Sequence, residues 1–257
     1  MTHQDFELAA GTTIGRDHHR AFRNNQDGYA ILRNPSCTIA VVTDGCGSSP
    51  HSEVGAQLGA HFVTEAINQG LEMTTYRWEF VLQEVISRIW ETTHLMRDRP
   101  RQEVDDYFLF TVVGTLLTPS EAVFFALGDG LVVINGAEYV IGPFEDNRPP
   151  YAAYALGGDR QIEFEIIKRL PLEDLENFLI ATDGALALLD SEDTTLPGLD
   201  ERLGPLSQFW HEDRFFADKP DLMSRRLRLA ARDWPKHFPE PGLLHDDTTI
   251  IAGRRSK

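Results

Sequence analysis

The chain has 257 residues, 42% of them hydrophobic, and its 40 Asp and Glu against 24 Lys and Arg leave a formal net charge of -16. That length can bury a sizeable core within one layered or barrel unit, so residues 1–257 read as a single domain. The acidic balance argues against nucleic acid and anionic membrane as partners, and two cysteines, Cys37 and Cys46, are too few for a disulfide framework or a thiolate zinc cluster. Residues 1–10 lack a basic stretch followed by an apolar one, and no apolar run reaches membrane-spanning length, which makes the cytoplasm the expected location.

Strand signals begin around Gln26-Asp27-Gly28, where residues 29–32 and 38–43 form short aliphatic runs divided by Asn34-Pro35 and predict a hairpin. After Gly47-Ser48-Ser49-Pro50, Ser52 is expected to cap a helix over 52–68, with Val54, Leu58, His61, Phe62 and Ala66 on one side. A second helix is predicted over 78–97, where Trp78, Leu82, Val85, Ile86, Ile89 and Leu95 recur at spacings of three and four. Strands return at 108–113, 115–117, 122–127 and 131–134 as a meander of hairpins, followed by the tight Asn135-Gly136 turn. Further strands are predicted at 163–167, 178–181 and 249–252, and a last helix over 221–234 pairs Leu222, Met223 and Leu227 with a solvated Arg225-Arg226-x-Arg228 face. Cys37 reads as a small core or boundary residue, and Phe209-Trp210 and Phe215-Phe216 as packing for an irregular segment. This grouping implies an α+β fold, a four-layer αββα sandwich of two antiparallel sheets flanked by helices.

Four Asp-centred segments punctuate the chain: Asn25-Gln26-Asp27-Gly28, Thr43-Asp44-Gly45-Cys46-Gly47, Ala181-Thr182-Asp183-Gly184 and His245-Asp246-Asp247-Thr248-Thr249. Most adjoin a short β-branched or aliphatic run, which puts their carboxylates at strand ends. Each taken alone is compatible with a turn aspartate that satisfies nearby amides. Gathered together, such carboxylates repel one another unless hard cations neutralise them, and oxygen donors suit Mg²⁺ and Mn²⁺.

The order of motifs resembles the metal-dependent serine/threonine protein phosphatases of the type 2C class. Its landmarks correspond to Arg23-Asn24-Asn25-Gln26-Asp27, Asp44-Gly45-Cys46-Gly47, Val113-Gly114-Thr115-Leu116, Gly128-Asp129-Gly130, Thr182-Asp183-Gly184 and Asp246-Asp247-Thr248-Thr249. The finer resemblance is to a bacterial branch with Asn-Gln-Asp in the first motif, whose members are often associated with partner kinases. It implies hydrolysis of phosphoserine or phosphothreonine in protein substrates at a pair of Mn²⁺ or Mg²⁺ ions, by water acidified between them, with no phosphorylated enzyme residue. Asp44 would bridge the ions, Asp183 and Asp246 would complete the first ion's ligands, the Gly45 carbonyl and Asp27 would face the second, and Asp129 with Asp183 would hold a weaker third.

Several positions depart from that pattern. Gln26 stands where the family often has an acidic residue, which predicts weaker binding of the second ion. Cys46 replaces a histidine thought to protonate the leaving alkoxide, a role for which His18, His19, His51 or metal-bound water remain. Arg23 is the nearest phosphate-binding arginine but is offset by one residue from the common spacing, and Arg16 and Arg20 compete with it. The flap that many relatives insert is short or divergent here, around residues 151–158. These departures keep open a regulatory or binding module that retains the fold with weakened or lost turnover; an unrelated aspartyl-phosphate phosphatase would need an Asp-x-Asp after an early strand, which is absent.

Overall fold

The computed structural model describes residues 2–73, 75–96, 100–158, 162–216, 221–234 and 240–256. Its strands are β1 (Phe6–Thr13), β2 (Asp27–Arg33), β3 (Thr38–Gly45), β4 (Phe110–Leu117), β5 (Glu121–Leu127), β6 (Gly130–Ile134), β7 (Ala137–Ile141), β8 (Glu165–Pro171), β9 (Asn177–Ala181) and β10 (Thr248–Arg255). The helices are α1 (Arg16–Arg20), α2 (Ser52–Leu71), α3 (Trp78–Met96), α4 (Pro100–Tyr107), α5 (Gln208–His211) and α6 (Leu222–Ala231). The strands form two five-stranded sheets ordered β1-β10-β9-β6-β7 and β2-β3-β4-β5-β8, antiparallel at every pairing. Helices α2 and α3 cover one sheet, α5 and α6 the other, as the α+β sandwich reading expected.

Both sheets are covered on both faces, so their central strands are apolar throughout rather than alternating. Val42, Val113, Phe124, Val132, Phe178 and Ile251 meet between the sheets. Ile39, Val41, Val112 and Phe125 face Ala60, Val63, Val85 and Ile89 of α2 and α3. On the far side, Leu131, Leu179 and Ile250 face Phe209, Met223 and Leu227. Cys37 is fully buried, and Phe209, Trp210 and Phe215 pack inward as expected.

Five sequence expectations need correction. The predicted meander breaks at Gly128-Asp129-Gly130, which carries the chain from β5 in one sheet to β6 in the other; Gly128 and Gly130 have φ of 96° and 147°, a conformation open to glycine. Helix α2 buries its small-residue face, Gly55, Ala56, Gly59, Ala60 and Val63, and leaves Val54 and Leu58 exposed. Close packing dictates that choice, because a Cβ on Gly59 would lie 2.3 Å from the Phe110 ring. Ser52 does not cap this helix: its hydroxyl donates to the Cys46 carbonyl and accepts from Gln26. In α3, Val81, Leu82, Val85 and Ile89 are buried while Leu95 is exposed, and the predicted end at Arg97 lies outside the described residues. Finally, Arg226 is buried rather than solvated, its guanidinium held by Glu201, Gln208 and the carbonyls of Arg202 and Leu203.

Candidate metal centre

The strand register delivers the acidic motifs to one end of the sandwich. Asp27 opens β2 and pairs directly with Asp44 near the end of β3. Asp129 lies between β5 and β6, Asp183 just past β9, and Asp246 and Asp247 just before β10. Thr182 ties the sheets together there: its hydroxyl donates to Asp27 Oδ2 at 2.9 Å and accepts the Thr249 amide at 3.0 Å. Gly184 permits the tight turn after Asp183, since a Cβ would sit 1.9 Å from the Asp247 carbonyl oxygen.

Asp44, Gly45, Asp129, Asp183 and Asp246 line a cavity of about 1130 Å³, with Cys46, His18, Tyr151 and Tyr154. Asp27 lies beneath it, buried. The electrostatics match a group of like charges held close together. Burial and then the neighbouring charges of Asp27, Asp183, Asp246 and Asp129 hold the Asp44 carboxyl well above its usual range. Burial and then Asp247 do the same for Asp27. Burial raises Asp129, and burial with Asp129 and Asp246 pushes Asp183 up to about 6. Asp27 Oδ1 is buried without a hydrogen-bond partner, an arrangement that is costly unless a cation meets it. The donor set is all oxygen, and a side chain at Gly45 would crowd the Gln26 carbonyl at 2.7 Å and Ser52 at 2.9 Å. These residues fit hard divalent cations.

The carboxylates are distributed around the cavity rather than around one point. Among the described residues, the set whose potential ligand atoms all lie within 4.8 Å is His18, Asp246 and Asp247. Asp247 in that set is already engaged. Its Oδ1 accepts the Gly15 amide at 2.6 Å, and its Oδ2 accepts the Gln26 amide at 2.6 Å and meets His18 Nδ1 at 2.8 Å. Asp247 thus acts as a buried clamp between the first and last motifs, whereas half-exposed Asp246 faces the cavity. That division between adjacent acids was open in the sequence to the β-strand alternation that follows them.

Of the sequence-selected histidines, His18 lines the cavity and His19 and His51 do not. Cys46 differs from an ordinary thiol: burial pushes it up, but hydrogen bonds from Ser48 and Tyr151 outweigh burial and leave it below its usual value. The Gln26 amide nitrogen donates to Ser52 Oγ at 2.7 Å, while its Oε1 is buried and unpartnered. Arg16 engages Asp17 and the Gly242 carbonyl, and Arg20 engages Asp233. Arg23 donates to the Gly47 carbonyl at the cavity lip without lining the cavity itself. Sequence reasoning missed the wall formed by Trp90, Arg101, Asp105, Asp146 and Arg148, which no local motif marks.

A family model described as Protein phosphatase 2C matches residues 14–216. Among solved structures, the chain is similar to the serine/threonine phosphatase Stp1 from Staphylococcus aureus, at 14% identity and a TM-score of 0.57, covering 98% of this chain and 96% of that one. It is similar to a bacterial serine phosphatase at 15% identity and a TM-score of 0.57, covering 98% of each chain. PppA, a regulatory component of T6SS in Pseudomonas aeruginosa, matches at 17% identity and a TM-score of 0.50 over 97% of each. At such identities these structures speak to the fold. No curated relative matches the chain in sequence. Among the described residues, no helix is long and apolar enough to cross a membrane.

Proposed function

Because the chain belongs to the protein phosphatase 2C family, a family of metal-dependent phosphatases, we propose that it hydrolyses phosphoserine and phosphothreonine in cytoplasmic phosphoproteins at a binuclear Mn²⁺ or Mg²⁺ centre. The observation that carries this reading is the convergence of Asp27, Asp44, Asp129, Asp183 and Asp246, from strand ends of both sheets, on and beneath the floor of one cavity. Asp44 and Asp183 would contact both metal and reacting atoms, with Asp246, Asp27 and the Gly45 carbonyl as further ligands and Asp129 at a weaker third position. Bound ions would supply an acidified water as nucleophile and neutralise the phosphoryl oxygens.

The chain's own residues supply the remainder. Thr182, donating to Asp27, and Asp247, accepting the Gln26 amide, tie the two sheets together beside the carboxylates, and Asp247 also holds the Gly15 amide. His18, oriented through Nδ1 by Asp247, is better situated than His19 or His51 to hand a proton to the departing oxygen. Arg23 bonds the cavity-lining Gly47, as Arg16 and Arg20 do not, and would meet the phosphoryl group on leaving that carbonyl. A serine/threonine kinase acting on the same proteins is the expected functional partner.

Phosphate release from an aryl phosphate and a phosphothreonine peptide tests this reading: activity with Mn²⁺, abolished by chelator, is the expected result. Turnover undiminished in chelator would contradict the mechanism. Metal binding without release from any phosphopeptide would favour a regulatory module, the second reading that Gln26 and Cys46 motivate.

A further inference from the structure

Resting on the phosphatase reading, we propose that Arg101 and Arg148 form an anion subsite that selects phosphoproteins with an acidic side chain next to the phosphorylated residue. The cavity, at about 1130 Å³, exceeds the roughly 300–1,000 Å³ that encloses a small ligand. It therefore has room for a stretch of polypeptide as well as the phosphoryl group. The acidic floor accounts for the phosphoryl end. The remaining wall comes from α3, α4 and residues 146–157, and it carries Arg101 and Arg148.

The first-motif arginines are all engaged, on Asp17 and Gly242, on Asp233 and on Gly47. Arg101 and Arg148 are exposed, line the cavity, and have no guanidinium hydrogen bond or ion pair among the described residues. Asp105 and Asp146 share the wall, but neither pairs with these two arginines. A free guanidinium fork beside a bound peptide matches a carboxylate bidentately. The net charge of -16 disfavours acidic peptides at long range, yet screening limits that field to about 8 Å at physiological ionic strength. Local pairing would decide the preference, against the direction that the overall charge alone would give.

The test uses phosphothreonine peptides that differ only in Glu, Ala or Lys beside the phosphoresidue, assayed with Mn²⁺. Wild type is expected to favour the Glu peptide over the Ala peptide by about two- to fivefold in kcat/KM. Arg101→Gln and Arg148→Gln should each move that ratio toward one, with the loss borne by KM for the Glu peptide. Arg148→Glu should shift the preference toward the Lys peptide. A wild type that prefers Ala or Lys, a ratio that persists in both Gln variants, or equal losses on the Glu and Ala peptides would overturn the subsite. Calorimetric titration of the same peptides reads the preference as a Kd ratio without turnover. Failure of all hydrolysis would therefore contradict the phosphatase reading, while loss of the Glu preference in binding would contradict the subsite.

Discussion

The floor and the wall of the cavity are built in different ways. Every acidic group of the floor sits at the end of a hydrogen-bonded strand, so the register of two sheets sets its position, and Asp27 opposite Asp44 is the plainest instance. The wall is assembled from one side of α3 and α4 and from irregular backbone around 146–157, with Trp90, Arg101 and Arg148 exposed on it. Paired strand ends hold the groups that would do chemistry, and helix surfaces with a loop hold those that would meet the rest of a substrate. Changes in the floor should therefore alter metal binding, turnover and stability together, while changes in the wall should alter the choice of peptide.

The largest expected effect is on turnover. Asp44→Asn and Asp183→Asn should each lower kcat/KM by more than about a hundredfold. Both should also raise the melting temperature of the metal-free protein, because each removes a charge from a mutually repelling group. Lower melting temperatures in both would mean that these carboxylates are ordinary structural groups. Next in size is Asp247→Ala, which strips partners from the buried Gly15 and Gln26 amides and from His18. It should cost about 3–5 kcal/mol in denaturant unfolding, and Asp247→Asn less, since the amide retains one acceptor oxygen.

A smaller effect concerns pH. Asp183 is pushed up to about 6 in the folded chain, with Asp27, Asp44 and Asp129 also raised. Between about pH 4 and 6 the folded state then holds more protons than the unfolded state, so the metal-free protein should lose stability as pH rises through that window, on the order of 1–3 kcal/mol. Mn²⁺ should flatten the slope; stability that rises with pH in the metal-free protein would contradict the electrostatic account. The smallest effect is that of Gln26→Glu. It adds charge beside Asp27 but gives up the donor to Ser52, so Mn²⁺ affinity should rise by no more than about tenfold while metal-free stability falls. Unchanged affinity would remove Gln26 from the metal's surroundings.

The same contrast explains what could be read from sequence. Asp44 and Asp183 stand out because a glycine follows an aliphatic run, and that pattern reports a strand end without knowledge of the partner strand. The sheet switch at Gly128-Asp129-Gly130 does not stand out, since the same residues make a hairpin turn; only the pairing of β6 with β9 separates the cases. The buried face of α2 was missed because it is written in glycine and alanine, which add little apolar signal even where close approach requires them. Arg226 reads as solvated until Glu201 and Gln208 arrive from elsewhere in the chain. The wall residues belong to no motif, and their association depends on the packing of α3 and α4 against a distant loop.

The central claim is that these carboxylates cage divalent cations, and calorimetric titration of Mn²⁺ at neutral pH and low salt tests it most directly. Two ions bound per wild-type chain, with uptake lost or reduced in Asp44→Asn and Asp183→Asn, is the predicted result. No uptake by folded wild type, or equal uptake by all three proteins, would contradict it.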